Sequence, residues 1–232
     1  MATAVALSSC AVEVKEQGPA KAPRALVAAN IYTGGAGGVA SKLAVHMRVL
    51  PFIGSGITKE PILDEINSDD GPEGSSGKPF FRLLYTMTHG GIDAAGGQLG
   101  PFLGPAIPSA NPQRMEDKYI GADEIHLPMN HRGYDLVFFN GCRSADGNLS
   151  FKPAFKARRY MGWRNLAFGP TANAIQPVFG DAAADYMKKR IDNHPAVQGV
   201  ELGDYVRSQI IRWWNREHDA SYQPLDGDLL IF

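Results

Sequence analysis

Two side chains in this sequence have the types that covalent acyl transfer requires, a thiol at Cys142 and an imidazole at His89. A thiol attacks a carbonyl carbon as its thiolate, and a neighbouring imidazole can accept the thiol proton and later give it to a leaving group. The histidine precedes the cysteine by about 50 residues, so the fold has to bring the two side chains together. Where it does, the pair predicts nucleophilic catalysis.

Each of these side chains follows an apolar run that predicts a buried strand. The run Phe80–Thr88 ends at His89 and two glycines, and the run Leu136–Phe139 ends at Asn140 and a glycine before Cys142. Continuous apolar runs of this length are typical of central strands that are buried on both faces. The carboxyl ends of neighbouring parallel strands share one edge of a sheet, so the imidazole and the thiol can meet there.

These two motifs resemble the caspase-like cysteine peptidase fold, which includes caspases, metacaspases, gingipains, separase and the bacterial CHAT-domain proteases. The matching pieces are Thr88–Gly91 and Asp135–Arg143, and looser matches extend the resemblance over roughly residues 80–232. Where caspases read Gln-Ala-Cys-Arg-Gly, this chain reads Asn-Gly-Cys-Arg-Ser at 140–144. The resemblance implies an α/β three-layer sandwich with a central, mostly parallel sheet. It also implies a thiol protease, a hydrolase that cleaves peptide bonds through a His89–Cys142 dyad and a thioester, without metal or cofactor.

The resemblance further assigns binding roles around the dyad. The backbone N–H groups of Gly90 and Cys142 are expected to form the oxyanion hole. Asp93 and Asp135 are acidic and Arg143 is basic, and all three lie close to the motifs in sequence. In the family an acidic pocket selects Arg or Lys and a basic pocket selects Asp, so these three residues are the expected substrate-binding residues and the charge of the pocket stays open.

Two other functions are compatible with the sequence. A catalytically silent member of the same fold would serve as a scaffold or interaction module. A nucleotide-binding α/β protein would use the glycine loop Gly34–Gly38, because the residues from Gly35 match G-x-G-x-x-A and such loops place N–H groups against phosphates. No Gly-Lys-Ser/Thr follows this loop, and the acidic residue expected about 20 positions on would need a second strand, which residues 54–60 do not offer, so a tight turn between strand and helix is favoured.

Composition limits the choice of partners and compartment. The net charge of −1 gives no electrostatic reason to expect a nucleic acid or a membrane, so the expected partners are a peptide or protein substrate and a regulatory protein. The chain has only two cysteines, Cys10 and Cys142, which argues against a disulfide framework and favours the cytoplasm. Leu7–Cys10 resembles a lipoprotein cleavage box, but no Lys or Arg precedes it and the apolar run is short, so we expect no lipid anchor.

The chain divides into two parts. Residues 1–23 are expected to be a flexible N-terminal lead-in, and residues 24–232 a single caspase-like α/β domain. A long insertion at 93–130, rich in Gly and Pro, separates the histidine from the strand that leads to the cysteine. Loops of this length in compact domains are usually functional or mobile, so the insertion is a candidate lid or substrate groove.

Apolar spacing within the domain predicts further elements. Helices are expected over Val39–Leu50, Gln176–Ile191 and Leu202–Trp214. A strand is expected over Trp163–Phe168, after the cysteine motif.

Overall fold

The computed structural model describes residues 14–19, 22–68, 81–92, 98–102, 119–129, 131–145, 150–164, 169–218, 225 and 228–232. The strands in these residues are β1 (Arg24–Ala29), β2 (Arg48–Ile53), β3 (Phe81–Met87), β4 (His89–Ile92), β5 (Gln98–Phe102), β6 (Leu136–Asn140), β7 (Arg159–Trp163) and β8 (Leu229–Ile231). The helices are α1 (Thr33–Leu43), α2 (Glu60–Asn67), α3 (Phe151–Ala154), α4 (Gly169–Ile191) and α5 (Leu202–Glu217).

Six of the strands form the central sheet, in the order β2-β1-β3-β6-β7-β8. All neighbouring pairs are parallel except β7 and β8, which pair antiparallel at one edge. The strands β4 and β5 form a separate antiparallel pair directly after β3. The parallel strands therefore end at one common edge of the sheet, here called the carboxyl edge, and begin at the opposite amino edge.

Helices cover both faces of the central sheet. On one face, α1, α4 and α5 bury strand residues such as Val27, Tyr85 and Phe138. On the other face, α2 and α3 cover the intervening residues, such as Leu26 and Val137. Because successive strand residues point to opposite faces, burial on both faces explains why these strands are apolar throughout. The structure confirms the predicted α/β three-layer sandwich with a mostly parallel sheet.

Two predicted elements differ in the structure. The helix expected over Val39–Leu50 ends at Leu43, and its last residues belong to β2, where Arg48 to Ile53 pair with β1. Residues 48–53 are a strand because they pair with β1, and the spacing of apolar residues along the sequence does not reveal a pairing partner. The strand expected over Trp163–Phe168 lies earlier, at Arg159–Trp163, and residues 165–168 are outside the described part of the chain.

Part of the expected lead-in packs against the sheet. Gln17 forms a β-bridge with Val49, and Glu16 forms ion pairs with Arg24 and Arg48. Residues 1–13, with Cys10, are outside the described part, as are 93–97, 103–118 and 130 of the long insertion. No helix in the described part of the chain is long and apolar enough to cross a membrane.

Candidate active site

His89 and Cys142 both lie at the carboxyl edge of the sheet. Strands β3 and β6 are adjacent and parallel, and Met87 at the end of one is paired with Asn140 at the end of the other. His89 and Cys142 each follow two residues after this pair. The structure therefore brings the two predicted reactive residues to equivalent positions on neighbouring strands.

Two glycines hold the segments of His89 and Cys142 in backbone contact. A Cβ added at Gly90 would lie 2.6 Å from the carbonyl oxygen of Cys142, and one at Gly141 would lie 2.7 Å from the carbonyl oxygen of Thr88. Carbon atoms do not approach backbone oxygens this closely, so only glycine permits this approach. The glycines that follow the histidine and precede the cysteine are thus required by the close packing of the two segments.

The two reactive side chains differ in exposure. His89 is exposed and Cys142 is half-buried. A half-buried thiol retains some access to a substrate that binds at the edge of the sheet. This arrangement fits a nucleophile more closely than a fully buried structural cysteine.

The turn that carries Cys142 is fixed to β7. Arg143 has a φ of 53°, a left-handed conformation that is uncommon outside glycine and that concentrates at functional sites. Ser144, two residues after Cys142, is bonded to β7. Its carbonyl accepts a hydrogen bond from the Tyr160 hydroxyl, and its Oγ accepts one from the backbone N–H of Trp163 at 3.0 Å. These bonds hold the turn against the neighbouring strand, so the position of the thiol is set by the sheet.

A buried hydrogen-bond network lies directly beneath the turn, around the fully buried Asn140. The Asn140 amide donates to the Tyr85 hydroxyl at 3.0 Å and to the Ala172 carbonyl at 2.9 Å. Its oxygen accepts a hydrogen bond from the indole N–H of Trp163 at 2.8 Å. One side chain therefore joins β3, β6, β7 and α4 at the last position before Gly141. Burial raises the pKa of the Tyr85 phenol, so this hydroxyl stays neutral.

The N–H groups expected to form the oxyanion hole are close together. A Cβ on Gly90 would lie 3.4 Å from the amide nitrogen of Cys142. Since a Cβ lies about 2.5 Å from the nitrogen of its own residue, the two amide nitrogens are no more than about 6 Å apart. That separation is compatible with two donors that share one oxyanion.

The structure separates the three predicted substrate-binding residues. Arg143 lies at the carboxyl edge, next to Cys142. Asp135 precedes β6 and lies at the amino edge, where both of its oxygens accept hydrogen bonds from Arg82 at 2.8 and 2.7 Å. Its proximity to the cysteine in sequence is misleading, because a whole strand of about 16 Å separates them. Asp93 lies outside the described residues.

One residue of the site was not predicted from the sequence. Tyr119 is half-buried, and the pKa of its phenol is raised by burial and by the charge of Cys142. It lies in the long insertion, in which no motif marked it. The position of Tyr119 near Cys142 depends on contacts between segments that are distant in the chain.

The glycine run lies inside a helix and not in a loop that precedes it. Gly34 to Gly38 are part of helix α1, which begins at Thr33 directly after the left-handed Tyr32. Within the described residues, no group of three or more His, Cys, Asp or Glu side chains could hold a metal ion.

Comparisons with known proteins give no relative for this chain. A scan against protein-family models found no match, and a search of curated proteins found no significant match.

Proposed function

We propose that the protein is a cysteine endopeptidase of the caspase-like type, with a His89–Cys142 dyad. The observation that carries the proposal is the backbone contact between Gly90 and Cys142 at the ends of two adjacent parallel strands. This contact brings the backbone segments that carry His89 and Cys142 together at the carboxyl edge of the sheet. The α/β three-layer architecture is also the one that the resemblance implied.

The chemistry follows from the two side chains. The imidazole of His89 accepts the proton of the Cys142 thiol, and the thiolate attacks the carbonyl carbon of the substrate. Collapse of the tetrahedral intermediate breaks the C–N bond, and the amine leaves with the proton held by His89. Water, deprotonated by the same imidazole, then cleaves the thioester to give the acid and the free thiol.

The backbone around the dyad supports this sequence of steps. In this mechanism the oxyanion accepts hydrogen bonds from the N–H groups of Gly90 and Cys142, whose segments are in backbone contact, and donors that are already in place stabilise such charge without reorganisation. The left-handed Arg143 and the anchored Ser144 keep the Cys142 N–H in a fixed orientation.

We propose a basic specificity pocket, on the basis of where the two described candidate residues lie. Of the described substrate-binding candidates, Arg143 is at the site and Asp135 is at the opposite edge. This favours a substrate with an acidic residue before the cleaved bond. The chain has too few cysteines for a disulfide framework, which fits a reducing compartment, so we propose the cytoplasm as its location.

The test uses peptides and an electrophilic peptide analogue. The wild-type protein should cleave peptides from a library that varies the residue before the scissile bond, with Asp preferred to Arg. Cys142→Ala and His89→Ala should each abolish cleavage, and the double mutant should be no worse, because residues that act as one unit are not additive. Each variant should keep the wild-type melting temperature, and Cys10→Ser, the matched control thiol, should keep full activity.

The outcomes are distinct. Cleavage that persists in Cys142→Ala overturns the proposal. A protein that cleaves no peptide in the library and whose Cys142 does not react with the electrophile is the silent scaffold instead.

A further inference from the structure

A cavity of about 290 Å³ lies at the amino edge of the sheet, at the opposite end of the strands from His89 and Cys142. It is bordered by the starts of several strands, by the end of α4 and by the residue that precedes α5. Its walls carry three arginines, two carboxylates and one phenol: Arg82, Arg158, Arg190, Asp135, Glu201 and Tyr186. These side chains leave one positive charge in excess. The volume is close to the lower limit for the sites of small organic ligands, about 300 Å³.

Two of the arginines differ in how closely their charges are paired. Arg82 donates two hydrogen bonds to the Asp135 carboxylate, at 2.8 and 2.7 Å. Arg158 lies 3.7 Å from Asp135 and 3.7 Å from Glu201, which is too far for a hydrogen bond. Among the described residues, the Arg158 guanidinium therefore has two distant charges nearby and no acceptor for its N–H groups.

The third arginine, Arg190, lies in the last turn of α4, where three basic residues follow one another. Lys188 forms an ion pair with Asp192 at 3.0 Å, and Lys189 forms one with Asp185 at 2.7 Å. Arg190 forms no ion pair or hydrogen bond through its side chain with any described residue. Its charge is thus left over in a turn whose other two charges are paired.

The charged groups of the cavity surround one buried ring. Tyr186 is 7% exposed, and its hydroxyl donates to the Val200 carbonyl at 2.8 Å. Burial is the first cause that raises the pKa of this phenol, and the charges of four cavity groups also act on it: Arg190, Asp135, Glu201 and Arg158. The two incompletely paired arginines therefore lie near the same ring, and like charges that face one cavity repel each other.

The chemistry of these arginines selects the kind of ligand. A guanidinium presents five N–H donors in a fixed fork that matches carboxylate or phosphate oxygens. A carboxylate has two oxygens and occupies one fork, as Asp135 does on Arg82. A phosphate monoester has three terminal oxygens and two negative charges, so it can accept hydrogen bonds from two guanidinium groups at once.

We propose that this cavity binds the phosphate group of a small phosphorylated molecule, which is held by Arg158 and Arg190. The cavity also has apolar lining from Pro23 and Met187, which suits an organic group attached to the phosphate. The helix dipoles do not decide the matter, because α4 ends beside the cavity and α5 begins there, and the two ends carry opposite partial charges. The inference goes beyond the proposed peptidase and does not depend on it, because the cavity and the dyad lie at opposite edges of the sheet.

The experiment is isothermal titration calorimetry of the full chain at pH 8 and constant ionic strength. The probes are phenyl phosphate, inorganic phosphate and benzoate. Phenyl phosphate should bind at least as tightly as inorganic phosphate, and at least about tenfold more tightly than benzoate, because benzoate fills one fork only. Arg158→Gln and Arg190→Gln should each weaken the binding of phenyl phosphate by about tenfold to hundredfold, because each removes hydrogen bonds to a charged group.

Two further variants make the test specific. Arg212→Gln, the matched control, removes one arginine charge from the groove beside Asp181 and Trp213 and should leave the affinity unchanged. Glu201→Gln removes a carboxylate that faces the bound phosphate, so it should tighten binding by about two- to fivefold. Since Arg190 is bonded to no described residue, Arg190→Gln should keep the wild-type melting temperature, and a loss of binding in this variant reports a lost contact and not unfolding.

The outcomes that overturn the inference are separate from those that oppose the peptidase. A wild-type protein that binds neither phosphate at millimolar concentration overturns it, as do Arg158→Gln and Arg190→Gln variants that bind phenyl phosphate with wild-type affinity. Benzoate that binds as tightly as phenyl phosphate overturns the choice of phosphate. A phosphoserine peptide that binds at least about tenfold more tightly than phenyl phosphate overturns the choice of a small molecule. Peptide cleavage, present or absent, bears on none of these results.

Discussion

At the amino edge of the central sheet, arginines at or near the starts of four strands form ion pairs, whereas at the carboxyl edge two strands are followed by glycines whose segments touch backbone to backbone. The amino-edge pairs join strands to helices and loops: Arg24 with Glu16 and Glu65, Arg48 with Glu16, Arg82 with Asp135, and Arg159 with Asp204. At the carboxyl edge, the contacts are the close approach of Gly90 and Gly141 and the neutral network around Asn140.

The difference shows how one sheet can separate stability from chemistry. Paired charges at the amino edge fix the strands to their surroundings. Backbone contacts at the carboxyl edge fix the segments that carry the thiol and the imidazole. Substitutions at the amino edge should therefore change the free energy of unfolding, and substitutions at the carboxyl edge should also change the reactivity of Cys142.

The largest effect should come from Asn140→Leu. The change keeps the approximate volume but leaves the Tyr85 hydroxyl, the Trp163 indole N–H and the Ala172 carbonyl without their partner in a buried site. Each buried polar group left unpaired costs about 1–3 kcal/mol, so the free energy of unfolding should fall by about 3–5 kcal/mol. Urea denaturation measures this, and iodoacetamide should react with Cys142 at an altered rate.

Trp163→Phe is the matched control within this network, because it removes one donor and keeps an aromatic ring. It should cost about a third as much as Asn140→Leu. Equal losses in both variants would mean that the stability comes from packing of the indole and not from the amide.

The second effect concerns the glycine contact. In Gly141→Ala the new Cβ would lie 2.7 Å from the Thr88 carbonyl oxygen, so the two segments must move apart. A displacement of about 1 Å between reacting groups costs about 100-fold in rate, and we expect that loss in kcat/KM for peptide cleavage.

The control for this variant is Gly38→Ala in α1, where an added Cβ meets no atom within 4 Å. Alanine is the better helix residue, so this variant should gain about 0.5–1 kcal/mol and keep full activity. Cleavage by Gly141→Ala at the wild-type rate would contradict the view that glycine sets the spacing of the dyad.

The third effect tests the separation of the edges directly. Asp135→Asn should lower the free energy of unfolding by about 1–2 kcal/mol, because Arg82 loses a charged partner in a partly buried pair. Its rate of cleavage and its preference among charged peptides should not change. Arg143→Gln should do the reverse, with reduced cleavage of peptides that have Asp before the scissile bond and an unchanged melting temperature. A changed preference among charged peptides in Asp135→Asn would show that the Asp135 carboxylate does contribute to substrate binding.

The sequence predicts the strands that precede His89 and Cys142, because β3 and β6 are buried on both faces and are therefore continuous apolar runs. It does not predict β2, in which Pro51 argues against a strand; the proline is tolerated because β2 is an edge strand with β1 as its one neighbour in the sheet. Tyr119 could not be predicted, since its position depends on hydrogen bonds from Lys59 to its carbonyl and from the next residue, Ile120, to Pro101, and these partners are distant in the chain.

Asp135 shows the opposite case, in which sequence proximity misleads. Residues that flank one strand lie at its two ends, so a residue seven positions before the cysteine belongs to the other edge of the sheet. A strand begins at one edge of the sheet and ends at the other. Asp135 precedes β6 and Cys142 follows it, so the two residues lie at opposite edges.

The smallest effect is a pH dependence at the amino edge, at Glu16. Burial acts to raise the pKa of this carboxyl, but the charges and hydrogen bonds of Arg24 and Arg48 outweigh it, so the pKa lies below its ordinary value of 4.5. A carboxyl whose pKa is lower in the folded state stabilises the protein above its unfolded pKa, and this contribution is lost as the pH falls through the folded value. The wild type should therefore exceed Glu16→Gln in free energy of unfolding by less than about 1 kcal/mol at pH 7, and the difference should shrink below about pH 4.5.

Glu217→Gln, which removes an exposed carboxylate from the end of α5, should show no such pH dependence. Urea titrations at pH 7 and at pH 3 provide the measurement, and a difference between wild type and Glu16→Gln that is equal at both pH values would show that Glu16 does not contribute through its charge.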